Sequence, residues 1–322
     1  MAQKKVNILI TGGAGFIGSN LVGALLRDER VGMVRVLDNL SNGHRHNIEE
    51  YLDREDFEFV EGDIRDYNTC LQSCKEIDLI SHQAALGSVP RSIKSPLTTN
   101  AVNIGGTLNI FTAAKDSNIK RVVFAASSST YGDSQTLPKR EDVIGRPISP
   151  YAVSKLVNEL YADVYAKLYD FEYIGLRYFN VFGPKQDPYG AYAAVIPLFI
   201  KALLDGKASV INGDGSQSRD FTYVANAVQA NIRALFTTNE QALNEIYNIA
   251  IGESTTVKEL YFYLKDIANA KIEPIYGPSR AGDVKHSLAD ISKAKNYLEY
   301  DPEVTVKEGL RLVFEWYRGR LK

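Results

Sequence analysis

The sequence predicts an α/β fold: a doubly wound parallel sheet with a smaller C-terminal α/β lobe. Three features predict it. Short β-branched runs alternate with helical patterns through the first half, the pattern of a parallel sheet covered on both faces. A glycine-rich turn joins the first run directly to a helix. After residue 180 the loops lengthen and gain Gly and Pro. At roughly 150 residues per domain, 322 residues suggest two domains. We place the first at 1–180, with a segment near 220–250 returning to its sheet, and the second at 181–322.

In chain order, Val6–Ile10 has the pattern of a buried strand, and Gly15–Arg27 has apolar spacing for a helix. Further strands are predicted at Val34–Leu37, Phe57–Val60, Asp78–Ile80 and Arg121–Phe124, with helices between them, one over Asn100–Lys115. A long helical pattern, Tyr151–Tyr169, follows Pro150, and Ile174–Tyr178 is another buried strand. The texture then changes to loops carrying Gly183-Pro184, Asp187-Pro188, Gly213-Asp214-Gly215 and Gly277-Pro278. Glu245–Ile249 is predicted to return to the first sheet.

Composition narrows the function class. Hydrophobic residues make up 45% and charged residues 24%, ordinary for a globular enzyme with a sizeable core. A net charge of −2 gives no excess of either sign to attract nucleic acid or a membrane surface. Cys70 and Cys74 lie four apart and read as two buried thiols on one helix face, not a disulfide framework. The histidines at 44, 46, 82 and 286 form no metal-ligand cluster with them, so no metal is expected. Val6–Ile10 is too short to span a bilayer and no secretory signal is visible, which sets the expected compartment as the cytoplasm.

Thr11-Gly12-Gly13-Ala14-Gly15-Phe16-Ile17-Gly18 follows the first strand and opens a helix. Gly12, Gly15 and Gly18 suit a tight turn, a close approach of backbone to pyrophosphate, and helix–sheet packing. The helix N-terminus offers free N–H groups and partial positive charge to phosphates. Asp38 ends the second strand, 20 residues beyond Gly18. A carboxylate there accepts ribose hydroxyls and repels a 2′-phosphate, which favours NAD over NADP. Asp63 ends the third strand, where the adenine would lie.

Tyr151 and Lys155 stand four apart and share a helix face. With the lysine cation and the positive nicotinamide close by, the phenol is expected below its ordinary value of about 10 and able to act as a base. Ser127-Ser128-Ser129 closes a buried strand, placing hydroxyls at the carboxyl edge of the sheet.

Together these pieces resemble the extended short-chain dehydrogenase family, over essentially the whole chain. The resemblance implies a Rossmann-like NAD domain and a UDP-sugar lobe. It selects Ser127 as the catalytic hydroxyl, four residues before the tyrosine of Tyr131-Gly132, alongside Tyr151 and Lys155. It also implies a cofactor set of Gly12, Gly15, Phe16, Ile17, Gly18, Asp38, Asn39, Asp63, Ile64, Gln83, Ala84, Ala85, Asn100, Tyr151, Lys155 and Tyr178. His82-Gln83-Ala84-Ala85, Arg177-Tyr178-Phe179-Asn180, Ser218-Arg219-Asp220-Phe221 and Arg280-Ala281-Gly282-Asp283 resemble UDP-hexose 4-epimerases in particular. By that resemblance Asn180, Asn212, Arg219, Arg280 and Asp283 hold UDP, and Ala194 and Val195 back the uracil and ribose.

The implied reaction is a reversible 4-epimerisation through a 4-keto sugar, with NAD regenerated in each cycle. A 4,6-dehydratase expects an acidic pair where this chain has Ser128 and Ser129. A UDP-glucuronate 4-epimerase is the other alternative within the family, and a net dehydrogenase or a non-catalytic NAD sensor lies outside this reaction. Where epimerases of non-acetylated sugars place a bulky tyrosine, alignment from Arg280 and Asp283 gives Ser287, which leaves room for a 2-acetamido group. Gly87, Ser88, Ser127, Ser128 and Gln186 complete the expected sugar pocket. The resemblance therefore points to UDP-N-acetylglucosamine/UDP-N-acetylgalactosamine as substrate and to a homodimer through the helices of Asn100–Lys115 and Tyr151–Tyr169.

Overall fold

The computed structural model describes residues 5–190, 193–278 and 285–320. Its centre is a seven-stranded sheet: β1 (Val6–Thr11), β2 (Val31–Asp38), β3 (Phe57–Glu61), β4 (Leu79–His82), β5 (Arg121–Ser127), β6 (Glu172–Tyr178) and β7 (Glu245–Ile249). The spatial order is β7-β6-β5-β4-β1-β2-β3, and every pairing is parallel. The order reverses at β1, so a crevice opens at the carboxyl ends of β1 and β4.

The strands read as continuous apolar runs because both faces are covered. Alternate residues part into two cores. Ile8, Ile10, Val34, Val36, Val123, Ile174 and Leu176 face one; Leu9, Leu37, Val122, Phe124, Ala126 and Tyr173 face the other. The helices, in chain order, are α1 (Phe16–Leu25), α2 (Tyr67–Ser73), α3 (Val89–Lys94), α4 (Pro96–Asn100), α5 (Thr107–Asp116), α6 (Pro150–Leu168), α7 (Val195–Leu204), α8 (Val224–Phe236), α9 (Val257–Ile267), α10 (Ser292–Leu298) and α11 (Val306–Arg318). α1 and α8 pack together on the first face, while α2, α5 and α6 pack on the second.

The helix expected over Asn100–Lys115 is interrupted. A π-turn, Ala101–Gly106, links α4 to α5. Cys70 and Cys74 are free, buried thiols in the second core.

After β6 the chain builds small pieces: Val181–Phe182 pairs with Thr222–Tyr223, Ser218–Arg219 with Thr255–Thr256, and Val210–Asn212 with Ile275–Gly277. The first core continues without a break into α7, α9 and α11 through Phe199, Leu260, Leu264, Leu310 and Val313. Among the described residues no helix is long and apolar enough to cross a membrane.

Candidate active site

The crevice at the strand ends is a cleft of about 580 Å³. Its floor is the glycine turn. Gly12 has φ +72°, and a Cβ there would lie 2.7 Å from the Ala84 backbone. A Cβ on Gly18 would lie 2.2 Å from the Gly12 carbonyl oxygen. Only glycine lets these chains approach so closely, and the result is an open N-terminus of α1 facing the cleft at Phe16 and Ile17.

Asp38 lines the same cleft and is buried. Its carboxylate accepts the Ala14 N–H at 3.0 Å and the Leu40 N–H at 2.9 Å. Burial raises its pKa, and these two N–H bonds oppose the rise. Asp63 accepts a fork from Arg65 and one bond from Asn39; the Arg65 bond chiefly holds its pKa down at about 2. Asn39 and Ile64 line the wall with it, and Gln83, Ala84, Ala85 and Tyr178 line the side facing β4 and β6.

Asn100 is a correction. It is exposed and does not line the cleft. Asn103, by contrast, is fully buried: its Oδ1 accepts the Leu86 N–H at 2.8 Å and its Nδ2 donates to Ser154 Oγ at 3.1 Å. Ordinary helical spacing puts residues 100, 103 and 107 on one face. The π-turn adds a residue to the intervening turn and rotates Asn100 outward. The signal for Asn103 is its i, i+4 partner Thr107, also buried, which bonds the Asn103 carbonyl and His82 Nε2.

Ser127, Tyr151 and Lys155 meet in this cleft. Ser127 ends β5 and caps the short turn Ser128–Tyr131, with its Oγ accepting the Ser129 N–H. Tyr151 sits in the first turn of α6, where its N–H donates to the buried Ser92 Oγ of α3. Burial is the largest influence on the phenol and raises its pKa, while a hydrogen bond from Ser127 lowers it. Lys155 Nζ donates to the Ala125 carbonyl at 2.7 Å. Burial brings its pKa down to about 8, with the Glu159 charge acting against the fall. Burial of both groups is the stronger effect.

The cleft wall also includes Gly87, Ser88, Ser128, Asn180, Gln186 and Ala194. A second cavity of about 230 Å³ adjoins it and shares Asn180, Val181 and Ala194. It is lined further by Val195, Asn212, Gln217, Arg219 and Phe221. Asn180 has φ +37°, a backbone region that asparagine tolerates better than most residues, and its Nδ2 donates to the Asp220 carbonyl. Ser287 lines neither cavity; it is half-buried, and its N–H donates to the Ser218 carbonyl. Arg280 and Asp283 lie outside the described residues.

Sequence reasoning passed over Arg91, whose Nη1 donates to Asn42 Oδ1 at 2.7 Å between two walls of the cleft. It also passed over Asp220. That buried carboxylate accepts N–H bonds from Ile251, Gly252 and Ala289 and fixes the backbone beside Arg219.

The glycine turn, the open helix end and Asp38 in one crevice fit a dinucleotide. Residues 8–250 match the NAD dependent epimerase/dehydratase family. The chain belongs to that family. A putative UDP-glucose 4-epimerase of Methanocaldococcus jannaschii is 40% identical over 97% of this chain and 98% of its own. Among solved structures, the UDP-N-acetylglucosamine 4-epimerase from Methanobrevibacter ruminantium in complex with UDP-N-acetylmuramic acid superposes with a TM-score of 0.92. It is 40% identical and covers 98% of this chain and 99% of its own. The UDP-glucose 4-epimerase of Thermus thermophilus in complex with NAD gives a TM-score of 0.88 at 34% identity, covering 98% and 99% of the two chains. NAD is thus the cofactor, and this family member has the turn and the carboxylate to hold it.

Proposed function

We propose that the protein is a UDP-sugar 4-epimerase that interconverts UDP-N-acetylglucosamine and UDP-N-acetylgalactosamine through a 4-keto sugar. The observation that carries this reading is the meeting of Ser127, Tyr151 and Lys155 in the same cleft as the glycine turn and Asp38, beside a second cavity for the nucleotide. NAD, when bound, supplies the hydride acceptor and donor together with a positive charge. Gly12, Gly15, Gly18 and Asp38 hold it, with Asn39, Asp63 and Ile64 on its adenine side. Tyr151 takes the proton from the sugar O4 and later returns it. Ser127 donates its one hydrogen bond to the Tyr151 oxygen. Lys155, cationic below about pH 8, favours the phenolate. Asn180, Asn212 and Arg219 grip the UDP, so the keto sugar turns over without leaving.

One feature supports epimerisation over elimination, and a second supports an acetylated sugar. Ser128 and Ser129 occupy the places where elimination needs an acid and a base, which leaves epimerisation. Gln186 Oε1 is a buried acceptor on the cleft wall with no hydrogen-bond partner among the described residues, and a 2-acetamido N–H satisfies such a group.

The test is incubation of the purified protein, without added NAD, with UDP-N-acetylglucosamine and separately with UDP-glucose, resolving epimers by chromatography. We expect conversion mainly of the acetylated sugar. Turnover of UDP-glucose alone removes the acetamido assignment. No reaction with either sugar, after NAD is supplied, removes the epimerase reading and turns attention to UDP-glucuronate.

A further inference from the structure

The environment of Ser127 Oγ is directional. A hydroxyl oxygen has one proton to donate and two lone pairs to offer. The Ser129 backbone N–H, which can only donate, takes one lone pair at 3.1 Å. The Ser129 hydroxyl lies 2.9 Å away on the same oxygen. The Ser129 hydroxyl is the donor in that contact, which leaves Ser127 only its proton to give, in the cleft it shares with Tyr151. Both lone pairs of Ser127 are then occupied.

We propose that Ser129 is a positioning residue that makes Ser127 an obligate hydrogen-bond donor toward the Tyr151 oxygen. This rests on the epimerase reading and adds a direction to it. Ser127 cannot accept the sugar O4 proton, because no lone pair is open to receive it. The proton passes from O4 straight to the Tyr151 oxygen: one O–H bond breaks, the other forms, and Ser127 keeps its own proton throughout. A relay through the serine is thereby excluded. Donors in a chain polarise one another, so the two bonds from Ser129 strengthen the bond that Ser127 gives to the phenolate.

The elements packed on α6 carry further charged and titratable groups: Arg121 on β5, Glu172 and Tyr173 on β6, Lys115 and Asp116 on α5, and Tyr161, Asp163, Tyr165 and Lys167 farther along α6 itself, besides those nearer its start. The latter are Lys155 and Glu159 on α6 itself, Arg91 and Lys94 on α3, Tyr131 in the turn after β5, Arg177 and Tyr178 on β6, and His82 on β4. His82 is buried and held neutral, its pKa pushed down to about 3. Arg177 and Glu159 neutralise each other in a buried pair. Tyr131 and Tyr178 are raised to about 12 by burial. Ser129 carries no charge, so its removal changes the acidity of Tyr151 only through Ser127.

The experiment compares the NAD-loaded wild type with Ser129→Ala, Ser129→Thr and Ser129→Cys. Two quantities are read: the pH profile of kcat, and the near-UV tyrosinate absorbance against pH with Tyr151→Phe subtracted. In Ser129→Ala the acid limb of the profile and the tyrosinate titration both move up by roughly half a pH unit. On that limb kcat falls about threefold, and KM for the UDP-sugar is kept. Ser129→Thr, which keeps a hydroxyl, restores both, while Ser129→Cys, a weaker donor, falls between. Unmoved titrations in Ser129→Ala overturn the proposal, and so does a change in KM with the acid limb in place. If the wild type epimerises no UDP-hexose, it is the epimerase reading that fails, and the tyrosinate titration still decides the role of Ser129.

Discussion

Tyr151, the proposed base, shows how such a group is set by its immediate neighbours. Burial disfavours the phenolate, and the Ser127 bond works against that penalty. Lys155 is itself desolvated, to a pKa of about 8, so its charge is present at neutral pH but is held expensively. Ser287 lines neither cavity, and a substitution there tests the alignment that set it beside the sugar. It hydrogen-bonds by its backbone to Ser218, so its side chain is free to vary without loss of that contact. We expect Ser287→Tyr to cut turnover of UDP-N-acetylglucosamine at least tenfold, a typical penalty for an overfilled pocket, while UDP-glucose turnover survives. Steady-state rates on the two sugars decide it; equal loss on both contradicts the pocket assignment.

At the level of elements, the catalytic helix is tied to the sheet by a buried ion pair. Arg177 of β6 forms a fork with Glu159 of α6 at 2.9 and 2.8 Å, and the two side chains are only 4% and 7% exposed. Arg177 also donates to the Glu141 carbonyl and lies over the Tyr131 ring. Removing one partner strands the other charge in a dry site. We expect Glu159→Ala to destabilise the fold by about 3 kcal/mol or more and the double change Glu159→Met with Arg177→Met to recover most of it, measured by urea unfolding. A full additive loss in the double variant would show that the pair itself, not the stranded charge, supplies the stability. The π-turn between α4 and α5 is the element that sequence periodicity does not reveal. One extra residue in a turn leaves the composition unchanged but leaves Asn100 exposed and Asn103 buried.

For the whole molecule, the second face of the sheet ends in an apolar surface. On α6, Val153, Leu160, Val164 and Leu168 are exposed along one seam, next to Ile93 of α3 and Leu97 of α4, the last 85% exposed. A contiguous exposed apolar strip of this kind marks an association surface. We propose that it closes a homodimer, in keeping with the helices chosen from sequence. We expect Leu160→Asp, and more completely Leu97→Asp with Leu160→Asp, to give monomers by light scattering. A mass unchanged from wild type would rule this surface out. The catalytic helix α6 also carries this seam, so subunit contact and Tyr151 share one rigid element.

The sequence by itself determined the sheet, the glycine turn, Asp38 and the trio Ser127, Tyr151 and Lys155. Each is written in local spacing: strand alternation, a turn that tolerates only glycine, a carboxylate at a strand end, and an i, i+4 pair. It also foresaw the return of Glu245–Ile249 beside β6. Only the tertiary structure decided that Asn103 is buried while Asn100 is exposed, that Asp220 braces the Arg219 strand, that Arg91 reaches Asn42, and that burial raises the Tyr151 phenol. Those outcomes depend on residues far apart in the chain and on how much water is excluded between them. Neither is encoded in the spacing of neighbours along one strand or helix.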